Sequence, residues 1–231
     1  MLKKAIILYS GGLDSSTLLA LLHYRGYEIY TLTFDYGQKH SVELEKSTLL
    51  SKDYSVKDSK VITIDLRSFG GSSLTSNVPV NKHLSENFTT NEIPLTYVPA
   101  RNILFLSYAL AWGEVNEVYD IFIGVSQIDY SGYPDCRKNF IDSFVKMANL
   151  GTKAGVSGRS FNVHTPFIYL SKSEIITLGT FLDLNYGKTH SCYDPSSDGN
   201  ACGFCESCLL RKKGFKEAEV EDPTKYTENL L

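Results

Sequence analysis

Two rhythms of hydrophobic positions alternate along the first half of the chain. Short runs rich in β-branched residues, Ala5 to Tyr9, Glu28 to Phe34 and Val61 to Asp65, read as strands. Between them, Leu13 to Tyr24 and Ser41 to Lys52 carry helical spacing, with Leu18, Leu19, Leu21 and Leu22 as the apolar face of the first. Continuous apolar strands joined by helices imply a parallel sheet covered on both faces. From Ser68 to Pro99 the pattern breaks into Gly, Ser, Thr, Asn and Pro. That is longer than most structureless loops, so it is either an insertion with local structure or a lid. Arg101 to Glu114 resumes as a helix apolar nearly all round, which predicts a centrally buried position. Tyr119 to Gly124 reads as a fourth strand, and Arg137 to Leu150 and Ser171 to Leu182 as further helices. Ser171 followed by Glu174 three residues on has capping-box spacing. The predicted fold class is α/β, doubly wound around a mostly parallel sheet, with a small Cys-rich C-terminal extension.

The turn after the first strand is Ser10-Gly11-Gly12-Leu13-Asp14-Ser15-Ser16-Thr17. Two glycines let the backbone bend tightly and approach an anion without interference from a Cβ. The helix that follows offers unpaired N–H groups and the positive end of its dipole, and Ser10, Ser15 and Ser16 add hydroxyls. Asp14 is too acidic to face phosphate; Mg²⁺ binding or loop organisation suits it better. This loop resembles the PP-loop ATP-pyrophosphatase signature, whose members cleave ATP between the α and β phosphates and transfer AMP to an oxygen. Gly187-Lys188-Thr189 imitates the end of a Walker A loop, but position 182 is Leu where that motif needs Gly, so the imitation fails.

The chain of 231 residues carries a net charge of −3, which gives no broad electrostatic case for a nucleic-acid or membrane partner. Its longest nearly apolar run, Ile103 to Trp112, is about half what crosses a bilayer. The start resembles a signal peptide only until Gly11-Gly12 and Asp14 follow without a cleavage site, so a cytoplasmic protein is expected. Of five cysteines, Cys192, Cys202, Cys205 and Cys208 crowd together, an arrangement that fits metal ligation better than disulfides. Four thiolates leave no open coordination position, which makes the ion structural. The long first spacing, with Gly203 easing the turn, favours one Zn²⁺ per chain; an iron–sulfur cluster is the alternative. Segment 191–210 has too few apolar residues to fold without such an ion. Cys136 reads as a buried or pocket-lining thiol.

Further segments narrow the resemblance. They are Phe34-Asp35-Tyr36-Gly37-Gln38-Lys39-His40, Val98-Pro99-Ala100-Arg101-Asn102, Asp129-Tyr130-Ser131-Gly132-Tyr133-Pro134-Asp135-Cys136-Arg137, Thr165-Pro166, Leu170 to Ile175, and Lys188-Thr189-His190-Ser191-Cys192-Tyr193. With the cysteine run, and from Lys3 to about Phe215, the chain closely resembles the 7-cyano-7-deazaguanine synthase family of queuosine biosynthesis. The resemblance implies conversion of a 7-deazapurine carboxylate to a nitrile with ATP, Mg²⁺ and ammonium, by a homodimer.

Residue by residue, Tyr9, Ser10, Gly11, Gly12, Leu13, Asp14, Ser15, Ser16, Thr17 and Arg101 form the expected ATP-binding set. Tyr130 or Tyr133 would stack on the deazapurine, with Asp135, ahead of Asp129, accepting from its guanine-like edge. Lys172 and Lys188 are candidate catalytic cations and Lys39-His40 receives no role. The expected organisation is a nucleotide-binding domain over 1–187, a metal segment over 188–215 and a tail over 216–231. No second domain or spare nucleophilic cysteine provides a glutaminase, so free ammonium is the expected nitrogen donor. Two rivals stand beside this reading. A tRNA-modifying enzyme on the same loop would want a basic surface, for which only Arg211, Lys212, Lys213 and Lys216 offer themselves, as a solvated helix end. A nucleotide sensor without chemistry would have no use for the four cysteines.

Overall fold

Strand β1 (Lys4–Leu8) sits at the middle of a parallel sheet whose order is β3-β2-β1-β4-β5, with β2 at Glu28–Asp35, β3 at Asp58–Thr63, β4 at Asp120–Ile123 and β5 at Asn162–His164. The computed structural model describes residues 3–37, 50, 52–76, 78–80, 93–128 and 132–227. Its helices are α1 (Leu13–Tyr24), α2 (Arg101–Asn116), α3 (Lys138–Gly151), the single turn α4 (Lys153–Val156), α5 (Lys172–Phe181) and α6 (Glu206–Glu217). The expected helix over Ser41 to Lys52 falls almost wholly outside the described residues.

Side-chain alternation along the strands divides the interior in two. Ile6, Leu8, Tyr30, Leu32 and Ile121 face a cluster with Leu106 and Trp112 of α2 and Phe144 of α3. Ala5, Ile7, Ile29 and Phe122 face Leu18 and Leu22 of α1, Ile175 of α5 and Phe215 of α6. Both Ile6 and Ile7 are completely buried, as a strand covered on two faces requires, and truncating either to Ala costs about 2–5 kcal/mol.

Two expectations need correction. Helix α2 is one-sided: Leu106, Ala109, Leu110 and Trp112 are buried, while Ile103, Tyr108 and Val115 are exposed on its other face. Its apolar outer positions had imitated a surrounded helix. Strand β3 begins at Asp58 rather than Val61, and only Ile62 of its six residues is even partly buried. It pairs with β2 alone at the sheet edge, so its β-branched residues need no cover.

The region from Ser68 to Pro99, as far as it is described, has no helix or strand but is not detached. Ser73 N–H donates to Leu95 O at 2.8 Å. Leu74, Val80 and Val98 join Leu66 in a third apolar cluster whose other half is Cys192, Ala201, Cys202, Cys205 and Cys208. The cysteine segment therefore borrows its core from this insertion. The tail closes the same segment from outside: Ala201 and Tyr226 form a parallel bridge, and Arg211 pairs with Asp222 at 3.0 Å.

Candidate active site and metal centre

Strand order reverses between β1, which leads by α1 to β2, and β4 on its other side. The carboxyl ends of strands at such a point leave a crevice for ligands. A cavity of about 240 Å³ lies there. One wall is the glycine loop and the start of α1: Tyr9, Ser10, Gly12, Leu13, Asp14 and Ser15. The facing wall includes Tyr36, Arg101, Asn102, Phe105, Tyr133 and Cys136, and the rim is His190, Ser191, Cys192 and Tyr193.

The loop holds itself open without filling its own concavity. Gly11 has φ +81, a left-handed turn that disfavours any residue with a Cβ. Gly12 is the N-cap of α1 and no side chain caps the helix there. A Cβ on Gly12 would come to 3.2 Å from Ser10 Oγ and 3.5 Å from His190 O. Ser10 Oγ accepts from Gly12 N–H at 3.2 Å and meets Ser15 Oγ at 3.1 Å. Leu13, Asp14 and Ser15, the first turn of α1, thus line the hollow, and a helix start beside a cavity is the arrangement that receives phosphate. Gly124, just past β4, lets this helix start sit on the sheet: its Cβ would lie 3.2–3.3 Å from Asp14 C and O and Ser15 N.

The Asp14 carboxylate is held by Lys172, whose Nζ reaches its two oxygens at 2.7 and 2.8 Å. Lys172 is buried, and its stem packs so closely on α6 that a Cβ at Gly214 would clash with its Cγ. The capping box of Ser171 and Glu174 fixes the start of the helix that carries it. Lys188 is elsewhere, half exposed and paired with Asp53 at 2.6 Å. It does not line the cavity, and neither do Gly11, Ser16 or Thr17. Thr17 is instead buried against the Tyr186 hydroxyl at 2.9 Å.

Of the substrate set, Tyr130 and Asp129 lie outside the described residues. Tyr133 lines the cavity, and burial raises its phenol well above the usual range. Asp135 does not line it. Its carboxylate, almost fully buried, accepts from the Asn102 backbone N–H at 3.1 Å, and Asn102 Nδ2 donates back to Asp135 O at 3.3 Å. That bond occupies one of the unpaired amides at the start of α2. Arg101 is presented from Ala100, whose φ of +58 costs a non-glycine residue about 1–2 kcal/mol. Burial pushes the neighbouring Cys136 thiol up to about 12, with Asp135 adding to the effect. A thiol held protonated there is not a nucleophile at neutral pH.

The four cysteines converge. All are buried, and their sulfurs lie within 4.8 Å of one another, with Cys202–Cys208 and Cys192–Cys205 at 4.0 Å. A tetrahedral ion with bonds of about 2.3 Å needs sulfurs roughly 3.8 Å apart, so the set fits a metal ion after a slight contraction. Backbone N–H groups of Tyr193, Asp194, Cys202, Phe204 and Cys205 point at Cys205, Cys192 or Cys202 sulfurs at 3.2–3.5 Å, which favours thiolates. Hydrogen bonding among the thiols lowers Cys202 and Cys205, with Cys192 the chief partner of each, and raises Cys192, chiefly through Cys202, and Cys208, chiefly through Cys192.

This centre is sewn to the glycine loop. His190 N–H donates to Gly11 O at 3.1 Å, and Ser191 Oγ accepts from Leu13 N–H at 3.4 Å. Sequence reading gave no role to His190, Ser191, Asn102, Tyr36, Gly124 or Glu206. The first four lay within segments already singled out by resemblance; Gly124, closing a predicted strand, carried the signal of a close backbone approach. Glu206 carried none. Arg211, read as solvated, is buried, donating to Thr189 Oγ1 at 2.8 Å and to Tyr186 O at 3.2 Å.

Known proteins resemble the chain over nearly its whole length. The family model described as "Queuosine biosynthesis protein QueC" matches residues 4–219. The chain is 55% identical to the 7-cyano-7-deazaguanine synthase of Desulfatibacillum aliphaticivorans over 97% of each chain. It is 55% identical to that of Citrifermentans bemidjiense over 98% of this chain and 99% of the relative. With that of Myxococcus xanthus it shares 54% over 99% and 100%.

Proposed function

This chain belongs to the family of the queuosine biosynthesis protein QueC, and from that membership and the cavity we infer that it converts 7-carboxy-7-deazaguanine to 7-cyano-7-deazaguanine with ATP and ammonia. The observation that carries the reading is the pairing of a bare glycine loop at a helix start with an aromatic and cationic wall across one crevice. The loop suits the phosphate chain of ATP; the wall suits a flat heterocycle bearing a carboxylate.

The chemistry asks two things of such a crevice. A carboxylate resists nucleophiles until one oxygen becomes a leaving group, and attack of that oxygen on the α-phosphorus supplies one as pyrophosphate departs. Ammonia then adds to the acyl carbon, AMP leaves, and a proton is lost to give the amide. A second ATP adenylates the amide oxygen, and loss of AMP with the nitrogen's protons leaves the nitrile. In each round the hydroxyls of Ser10 and Ser15 and the positive end of α1 behind Gly12 hold the departing pyrophosphate, and Arg101 balances charge at the adenylate. Mg²⁺ accompanies ATP. Tyr36, Phe105 and Tyr133 enclose the heterocycle. Lys172 acts through Asp14, whose carboxylate it fixes beneath the loop. Residues Cys192, Cys202, Cys205 and Cys208 hold Zn²⁺, which supplies a cross-link rather than an open coordination site.

No described helix is long and apolar enough to cross a membrane. The protein acts in the cytoplasm as a homodimer, for which the exposed Ile103, Tyr108 and Val115 of α2 offer a face. The test of the function is mass spectrometry of protein incubated with ATP, ammonium and 7-carboxy-7-deazaguanine. The nitrile appears together with AMP, and Asp14→Ala abolishes both. Formation of ADP instead of AMP overturns the adenylation route; an unconsumed carboxylate overturns the substrate.

A further inference from the structure

The residue after metal ligand Cys205 is Glu206, the first of α6. It is partly buried and accepts a hydrogen bond from the Thr96 hydroxyl at 3.2 Å. Thr96 Oγ1 lies 2.6 Å from the Tyr133 hydroxyl. A threonine hydroxyl has one proton, and here the carboxylate takes it, so the short bond is donated by Tyr133 to Thr96. Tyr193, the residue after metal ligand Cys192, is hydrogen-bonded to the same phenol, and because the Tyr133 proton is already committed to Thr96, Tyr193 is the donor. The protons therefore run one way, Tyr193 to Tyr133 to Thr96 to Glu206. Both tyrosines line the cavity.

A chain of hydroxyls has two equivalent directions until one end is fixed. Glu206 fixes it, because its carboxylate oxygen takes the Thr96 proton. With its proton committed to Tyr133, Tyr193 meets the cavity as an acceptor. We propose that Glu206 is a positioning residue that sets substrate specificity: acting through Thr96 and Tyr133, it turns the tyrosine wall into acceptors that select the N–H-bearing edge of a guanine-like heterocycle. The inference rests on the function proposed above. It also gives the two cysteine-adjacent residues a task at the substrate, distinct from holding metal.

The experiment measures binding by calorimetry on zinc-loaded wild type, Glu206→Ala, Glu206→Gln, Tyr133→Phe and the double variant E206A/Y133F. The ligands are 7-carboxy-7-deazaguanine and its analogue lacking the 2-amino group, and metal content is measured on each protein. Losing one hydrogen-bonded acceptor corresponds to roughly a two- to twelvefold loss of affinity. Glu206→Ala is expected to weaken the amino-bearing ligand by about that factor, leave the analogue nearly unchanged, and retain metal. Glu206→Gln, whose amide oxygen still accepts from Thr96, restores the preference. The double variant binds no worse than either single one. An unchanged preference in Glu206→Ala, losses that multiply in the double variant, or loss of metal each overturn the proposal. Should Glu206→Ala not fold, Thr96→Val takes its place in the cycle with the same expectations. A wild type that binds the carboxylate but forms no nitrile overturns the function while leaving the specificity cycle readable; one that does not bind it overturns both.

Discussion

The ion pair beneath the glycine loop allows a quantitative test. Lys172 Nζ lies 2.7 and 2.8 Å from the two Asp14 oxygens, and the side chains are only 7% and 17% exposed. At an effective dielectric of about 20, unit charges at that separation attract by about 6 kcal/mol, much of which repays the cost of taking both from water. Removing one partner leaves the other charge buried, at about 3–5 kcal/mol. Asp14 borders the cavity, where water relieves part of that cost, so Asp14→Ala is placed near 3 kcal/mol. With a urea slope of about 3 kcal/mol per molar, the unfolding midpoint falls by roughly 1 M. Lys172→Met leaves the carboxylate with some access to water and loses somewhat less. The variant D14N/K172M removes both charges at similar volume and should be more stable than Asp14→Ala. Urea titrations followed by circular dichroism, at fixed zinc concentration so that metal linkage stays constant, measure all three. A loss below about 1 kcal/mol for Asp14→Ala, or a double variant as unstable as the sum of its parts, would refute the reasoning.

Other expectations follow from neighbouring features. Cys136, held up to about 12 by burial, should resist iodoacetamide at pH 8.5 in the native protein and react after denaturation; peptide mapping distinguishes the two. Because the folded value is raised, its contribution to stability is complete below the unfolded thiol range near 8.5. It is lost at about 1.4 kcal/mol per pH unit as pH rises from there toward 12, which denaturant titrations across alkaline pH can follow. Cys205→Ser should abolish stoichiometric metal binding and lower the melting temperature, read by elemental analysis and calorimetry, since the cluster of Leu66, Leu74, Val80 and Val98 packs on these sulfurs. Gly124→Ala should raise the ATP KM about tenfold or more while costing little stability, because its methyl would press on the backbone of Asp14 and Ser15 at 3.2–3.3 Å. An unchanged KM would mean that the loop tolerates displacement.

How much of this was legible in the sequence depended on how local each cause is. Helix α1 begins at Leu13 and ends at Tyr24 as its pattern predicts, because the glycine turn, the leucine face and the following Gly26 all act within a few residues. The cysteine spacing was equally self-contained. Short β5 went unread, and of helix α6 only a solvated end was read. The first has three residues, and the second packs through Cys208, Arg211, Gly214 and Phe215 instead of a leucine stripe. Arg211 looks like one more surface cation until Asp222, brought back by the tail, closes on it. Asp135 was read as a ligand contact because its loop follows a strand end, and the tertiary approach of α2, which brings Asn102 to its carboxylate, has no local signal. Glu206 has no local signature at all, since its partner Thr96 is 110 residues away.

The stitches from His190 to Gly11 and from Leu13 to Ser191 bear on how the molecule is made as well as on how it works. The second spans 178 residues, a long-range closure whose entropy must be met before the bond returns anything, so it forms late. A chain can collapse, lay down β1, β2 and α1, and still lack a finished nucleotide cradle. Nucleotide affinity during refolding is therefore a clock for the last docking event, and it should lag behind the signals of secondary structure.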